Sequence, residues 1–274
     1  MRARLLLPLL ALATISTSAF AGGRRQLRVC ADPNNLPYSN ARQEGFENAI
    51  ARLVAGALDA ELLYTWLPQR RGFVRNTLLA RQCDVMMEVP LGYGRAAATE
   101  PYYRSSYVFV TRRDRKLALA SFDDPALRTL RVGVQIVGDD YANTPPAAAL
   151  ARRGLAKNVV GFSVYGDYSQ ALPQSPIIDA VAAGDIDVAV VWGPLAGWLA
   201  RRAHAPLTVT PIAPTSSDQP LAFDIAMGVR RGDAALRAEL DAVIRTHRRE
   251  LASLLHRFGV PLLSLASASA RAER

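Results

Sequence analysis

The sequence predicts an α/β protein of two lobes, each a largely parallel sheet flanked by helices, joined by a double crossover hinge. Three observations predict it. Short apolar runs bounded by turn residues alternate with amphipathic stretches along most of the chain. That alternating series occurs twice, with a β-rich and then polar stretch between the copies. A further β-rich segment and a long amphipathic helix follow the second series, which implies that the chain returns to the first lobe before it ends.

In the first series LRVCAD (Leu27 to Asp32) reads as a strand running into the turn-rich PNNLPYSN. GFENAIARLVAGALD follows with Phe46, Ile50, Leu53, Val54, Ala57 and Leu58 at helical spacing. ELLYTWLP (Glu61 to Pro68) is a strand, RGFVRNTLLARQ (Arg71 to Gln82) a helix and DVMMEVP (Asp84 to Pro90) a third strand. SSYVFVTRR (Ser105 to Arg113) is β-rich and leads into a charged stretch that marks the exit from this lobe. The second series begins at LRVGVQI (Leu130 to Ile136) and continues through TPPAAALARRG, VVGFSVYG, SPIIDAVAAG, DIDVAVVWGP and PLAGWLARR. The returning β segment is PLTVTPIAPTSSDQPLAFDIAMGVRRGD. One closing helix spans 233–259, with Asp233 as its cap and Gly259-Val260-Pro261 ending it.

The first residues read as an export signal covering 1–21. Arg2 and Arg4 precede the apolar run Leu5 to Ile15, and Ala19-Phe20-Ala21 suits cleavage. The run is too short to span a bilayer, and no later stretch reaches the roughly 18 apolar residues that a spanning helix needs. The mature chain, expected in the periplasm, keeps about 250 residues, enough for two cored lobes. The divisions expected are 22–110 for the first part of lobe one, 111–215 for lobe two, 216–261 for the return and 262–274 for a flexible tail.

Cys30 and Cys83 are the two cysteines. In an exported chain the pair suggests one disulfide, with two buried free thiols as the alternative; neither reading makes a zinc site. The formal charge is +9, and of 33 basic residues only Lys116 and Lys157 are lysine. A coding bias explains that excess of arginine, and no nucleic-acid-binding motif accompanies it. Catalytic signatures are missing: the sequence holds no G-x-S-x-G, H-E-x-x-H, Walker loop or G-x-G-x-x-G, and His204, His247 and His256 are scattered. No metal, cofactor or enzymatic activity is expected.

Two lobes with a double crossover, each Rossmann-like, are the architecture of type II periplasmic binding proteins, whose ligands sit between the lobes. Within that architecture seven stretches resemble the MxaJ/XoxJ family of methanol oxidation. They are VCADPNNLPYSN with GFENAIA, PQRRGFVRNTL, CDVMMEVPLGYGRAAATEPYYRSSYVFV, VGVQIVGDDYANTPPAAALARRG, VYGDYS, DVAVVWGPLAGW and FDIAMGVRRGD. The family is similar to solute-binding proteins of family 3. The resemblance implies an accessory protein that assists maturation or activation of a PQQ-dependent alcohol dehydrogenase, rather than an importer.

The resemblance also shows where this chain departs from amino-acid binders. Their carboxylate-clamping Arg lies nine residues before the Pro of the PYY motif; here that position is Gly92, with Arg95 out of register. Their ammonium-binding Asp corresponds to Trp192, while Asp187 sits at the start of its strand. Where they bind an anion at a helix N-terminus, this sequence has Asp139 and Asp140, which either repel such an anion or cap the turn. Arg70 and Arg71, with Gln69 and Phe73 in QRRGF, either receive a carboxylate or phosphate or pair with those acids across the cleft; a solvated helix start is the plainer reading. Asn34, Asn35, Tyr38, Tyr102, Tyr103, Gln135 and Trp192 complete the expected cleft, as a small-molecule pocket, a protein interface or core packing. Besides the dehydrogenase accessory, a receptor for a small solute and a dehydratase-like enzyme on the same fold remain open.

Overall fold

A computed structural model describes residues 24–137, 143–213 and 220–265. The proposed signal at 1–21, Asp139 and Asp140, and most of the tail therefore lie outside the described residues. The strands are β1 (Gln26–Ala31), β2 (Asn34–Asn35), β3 (Ser39–Asn40), β4 (Glu61–Trp66), β5 (Val85–Pro90) and β6 (Ala97–Arg112), followed by β7 (Val132–Ile136), β8 (Val159–Ser163), β9 (Val188–Trp192), β10 (Leu207–Pro211) and β11 (Ala222–Val229). The helices are α1 (Phe46–Ala57), α2 (Phe73–Asn76), α3 (Pro145–Arg152), α4 (Pro176–Ala183), α5 (Gly193–Ala200), α6 (Ala234–Thr246) and α7 (Arg248–Arg257).

The first lobe has strand order β4-β1-β5-β11-β6, and the second continues through β6-β9-β7-β8 with β10 on β6. Pairs β1–β4, β1–β5, β7–β8 and β7–β9 are parallel, while β11 and β6 run against their neighbours. This is the doubly crossed α/β architecture the sequence predicts. The hinge is a strand rather than a loop. β6 pairs with β11 as far as Ser106 and with β9 from Tyr107 onward, so it belongs to both lobes. The partner switch precedes the polar stretch that marks the exit in the sequence.

The inner strands β1, β5, β7, β9 and β11 are buried on both faces, which is why they read as continuous apolar runs, whereas the edge strands β4, β8 and β10 are only partly buried. In β1, Leu27, Val29 and Ala31 face the core beneath α1 and α7, while Cys30 faces Phe73, Val74, Leu78 and Met86 on the other side. In β9, Ala189 and Val191 pack toward α4 and α5, and Val188 and Val190 toward α3. Each such fully buried aliphatic side chain contributes about 1.5–3 kcal/mol relative to exposure.

Three local expectations are corrected. The helix expected from Arg71 to Gln82 is only the four residues of α2. Beyond it Leu79 and Gln82 donate to carbonyls five residues back and Arg81 takes φ 58°, a wide turn that brings Cys83 back beside Cys30. The closing helix is two helices meeting at His247 (φ −102°, ψ 19°), with no proline or glycine at the junction. The bend lets Leu240, Val243 and Ile244 on α6 and Leu251, Leu254 and Leu255 on α7 all bury in one core. Asp233 does not cap α6 with its side chain; it pairs with Arg230 at 2.7 Å. Past the helices, Ser105 donates to the Pro261 carbonyl at 2.7 Å and the Leu263 N–H donates to the Arg104 carbonyl at 2.9 Å, so the start of the expected tail lies along β6.

α1 is seated by the turn before it. Asn48 Oδ1 accepts the N–H groups of Gly45 (3.1 Å) and Asn40 (3.2 Å), tying the first turn to β3. A Cβ on Gly45 would stand 1.9 Å from the Tyr38 carbonyl oxygen, a collision with backbone. Gly45→Ala is therefore expected to cost about 2 kcal/mol, read as a lowered urea midpoint at unchanged slope.

Candidate functional site

A cavity of about 440 Å³ lies between the lobes. Lobe one supplies Asn35 and Tyr38 from the loop after β1, Glu88 from β5 and Phe223 from β11; lobe two supplies Gln135 from the end of β7 and Trp192 from the end of β9. This is the crevice at the carboxyl ends of strands where α/β sheets place ligands. Of the sequence-expected residues, Asn35, Tyr38, Gln69, Gln135 and Trp192 line it.

The others lie elsewhere. Tyr102 and Tyr103 are buried in the lobe-one core, Tyr102 donating to the Met87 carbonyl at 2.7 Å. They follow Pro101 on β6, and that strand points them inward rather than into the cleft. Phe73 is buried against the disulfide, and Arg71 lines a second pocket of about 380 Å³ beside the cavity. Neither Arg70 nor Arg71 opposes a helix dipole, because α2 begins at Phe73 and is only one turn long. The suggested pairing of these arginines with Asp139 and Asp140 falls outside the described residues. Gly92, at the register of the missing carboxylate clamp, adopts φ 84° in a turn. Asp187, at the far end of β9, pairs with Arg115 at 2.9 Å.

The two lobes are joined across the cleft by their own side chains. Asp32, at the end of β1, accepts from Tyr168 Oη at 2.5 Å, from the Gln69 N–H at 2.6 Å and from the Asn34 N–H at 2.8 Å. The Arg70 guanidinium stacks over the Tyr168 ring at 4.5 Å and stands 5.8 Å from that of Tyr165. Asn34 donates to the Gln170 carbonyl at 2.9 Å, and Gln174 donates to Asn35 Oδ1 at 2.6 Å. Partial burial, together with the Asp32 carboxylate, pushes the Tyr168 phenol well above its usual range, so it remains a donor at any physiological pH. Tyr168→Phe removes this bridge and is expected to weaken closure by about 1–2 kcal/mol. Faster amide exchange around residues 164–170 with an unchanged global melting point would report it.

The floor of the cavity holds the feature that sequence reasoning missed. Glu88 lines both pockets, and its Oε2 is buried without a hydrogen-bond partner. Glu47, on the first turn of α1, is buried close by, and burial together with the charge of Glu88 raises it well above the carboxylate range. Burial also raises Glu88, to about 7, against the moderating effect of Tyr103, Glu47 and Trp192. The two acids therefore hold a proton between them near neutral pH. Above them stand three rings in edge-to-face contact: Trp192 against Tyr107 (5.4 Å, 63°) and against Phe223 (5.9 Å, 64°). One signal could have found Glu88: it is the sole charge inside the apolar run of β5.

No protein-family profile matches the chain. The Protein MoxJ of Methylorubrum extorquens is 32% identical over 254 residues, covering 88% of this chain and 83% of its own length. The chain belongs to the MoxJ family. Among solved structures, the periplasmic binding protein XoxJ from Methylobacterium extorquens AM1 aligns with a TM-score of 0.73 and 36% identity, over 87% of this chain and all of that one (100%). MxaJ from Methlophaga aminisulfidivorans MPT aligns with a TM-score of 0.76 and 29% identity over 87% of this chain and 100% of that one. The MxaJ/XoxJ resemblance read from the sequence motifs thus holds over whole chains, and with it the two-lobed binding-protein fold. Among the described residues no helix is long and apolar enough to cross a membrane, and no cluster of His, Cys, Asp and Glu could hold a metal ion.

Proposed function

We propose that this MoxJ-family chain is a periplasmic, non-enzymatic accessory protein that binds a PQQ-dependent alcohol dehydrogenase and assists its maturation or activation. Lobe one comprises 22–110 with 216–261, and lobe two 111–215; the signal at 1–21 directs export and 262–274 forms the tail. The observation that carries the reading is the loss of the amino-acid clamp in an otherwise intact binding fold. Gly92 and Trp192 occupy the two clamp registers, and the cleft edge is rich in arginine, tyrosine and amide side chains that suit a protein surface. The binding surface assigned is the rim formed by Asn34, Gln69, Arg70 and Arg71 with Tyr165 and Tyr168.

The test is calorimetric titration of the mature protein into a PQQ-dependent alcohol dehydrogenase of the same organism, in apo and PQQ-loaded forms. Binding in the micromolar range or tighter, with preference for one form, supports the reading and identifies the step served. Heats at the dilution level with both forms overturn it. The interlobe cavity favours a second reading, a receptor for a small solute, which predicts a thermal shift with one ligand.

A further inference from the structure

The cavity carries one charge type. Among the described residues that line it, Glu88 alone is an acid and no Lys, Arg or His is present. A ligand with a carboxylate has no cation to meet among these residues. A ligand with a positive charge meets the side chain of Glu88, which lines the cavity and whose buried Oε2 has no hydrogen-bond partner within the protein. It also meets an aromatic lining of Trp192, Tyr107 and Phe223, and it is on the faces of such rings that quaternary and alkylated ammonium groups are recognised. Arg70, Arg71 and Arg95 line the neighbouring pocket, which shares Glu88 with the cavity, but none of the three lines the cavity itself.

We propose that the interlobe cavity is a binding site for a small organic cation of the alkylammonium class, held by Glu88 beneath an aromatic wall of Trp192, Tyr107 and Phe223. The site rests on the cavity alone and stands apart from any dehydrogenase contact, because the chain by itself should bind the cation. Glu47 is a positioning residue. Buried on α1, it is raised well above the carboxylate range by burial and by the charge of Glu88, so that the pair shares one proton. Around Glu88 on the cavity side stand the Tyr38, Tyr102, Tyr103 and Tyr107 phenols, all raised chiefly by burial and therefore neutral, and on the side of the neighbouring pocket Arg70, Arg71 and Arg95 share its lining. Cation affinity should accordingly rise between pH 6 and pH 8, as Glu88 loses its proton.

The experiment is calorimetry of the full mature chain with choline and with its uncharged isostere 3,3-dimethylbutan-1-ol, repeated on Glu88→Gln and Trp192→Leu. Choline is expected to bind at least tenfold more tightly than the isostere, and more tightly at pH 8 than at pH 6. Glu88→Gln should lose at least tenfold for choline while leaving the isostere unchanged, and Trp192→Leu should weaken both. Melting curves of both variants establish that they are folded. No binding of choline, equal binding of the isostere, or undiminished binding by Glu88→Gln overturns the proposal.

Discussion

Reducing the Cys30–Cys83 bridge, or replacing both cysteines by alanine, is expected to lower stability by about 4 kcal/mol. The Cα atoms stand 5.3 Å apart and the bond closes a separation of 53 residues, for which loop-closure entropy gives a figure of that size. Both sulfurs lie in a buried cluster with Phe73, Val74, Leu78 and Met86, so the double alanine variant also loses packing. The same region holds a partly buried charge network. Arg230 reaches Asp84 at 2.9 Å and Asp233 at 2.7 Å and also meets the Cys83 carbonyl, while Arg28 holds Asp84 from the other side at 2.7 Å. Burial opposes the ionisation of Asp84, but Arg28 and Arg230 outweigh it and keep its carboxyl below the usual range. Without the disulfide, these ionic contacts and α2 are expected to be the first part of lobe one to open. Chemical denaturation with and without reductant measures the loss, and a shift in midpoint under about 1 kcal/mol equivalent would contradict the estimate.

Glu88→Gln is expected to stabilise the protein above neutral pH and to flatten its pH dependence. Glu88 ionises at about 7 in the folded protein, above the 4.5 of a free glutamate, because burial disfavours its charge. Between these values the folded state binds more protons than the unfolded state, so stability is full below pH 4.5 and falls as pH rises toward 7. Glutamine keeps the shape and removes the ionisation. The gain at pH 8 is on the order of 2 kcal/mol, with little change at pH 4. Melting curves at the two pH values check the sign: a destabilised variant at pH 8 would mean that the carboxylate is satisfied rather than burdened. A variant that is more stable but blind to cations is the expected mark of a site held against the preference of the fold.

Much of the architecture was legible because the inner strands are buried on both faces and the long helices on one, and both conditions write a pattern into the sequence. β1, β4, β5, α1, β7, β9 and β11 all follow from such runs. The reading failed where tertiary constraint overrode local preference. The apolar spacing of Val74, Leu78 and Leu79 suits a helix, yet the chain unwinds after Asn76 to return Cys83 to its partner. Asp233 is a good capping residue, but Arg230 lies three residues away and takes its carboxylate.

The site was read less well, for a related reason. Asn35, Tyr38, Gln135 and Trp192 end or follow strands, and strand ends are identifiable from pattern. Tyr102 and Tyr103 sit mid-strand on β6, where a register shift against β11 breaks the alternation and both adjacent rings enter one core. Glu47 and Glu88 are 41 positions apart in sequence and meet only when α1 packs on β5, a pairing no local window reveals. Tyr168 was visible within VYGDYS, but its partner Asp32 becomes evident only across the closed cleft.

Because β6 continues unbroken from one lobe to the other, its Tyr107 faces Trp192 at the very point where strand pairing changes hands. The indole therefore rides on the pivot. Any relative rotation of the two halves must alter the polarity around that chromophore before it disturbs Trp66 or Trp198, which are packed within a single half. The molecule carries an intrinsic optical gauge of its own opening, and the emission wavelength of Trp192 tracks domain motion without an added label.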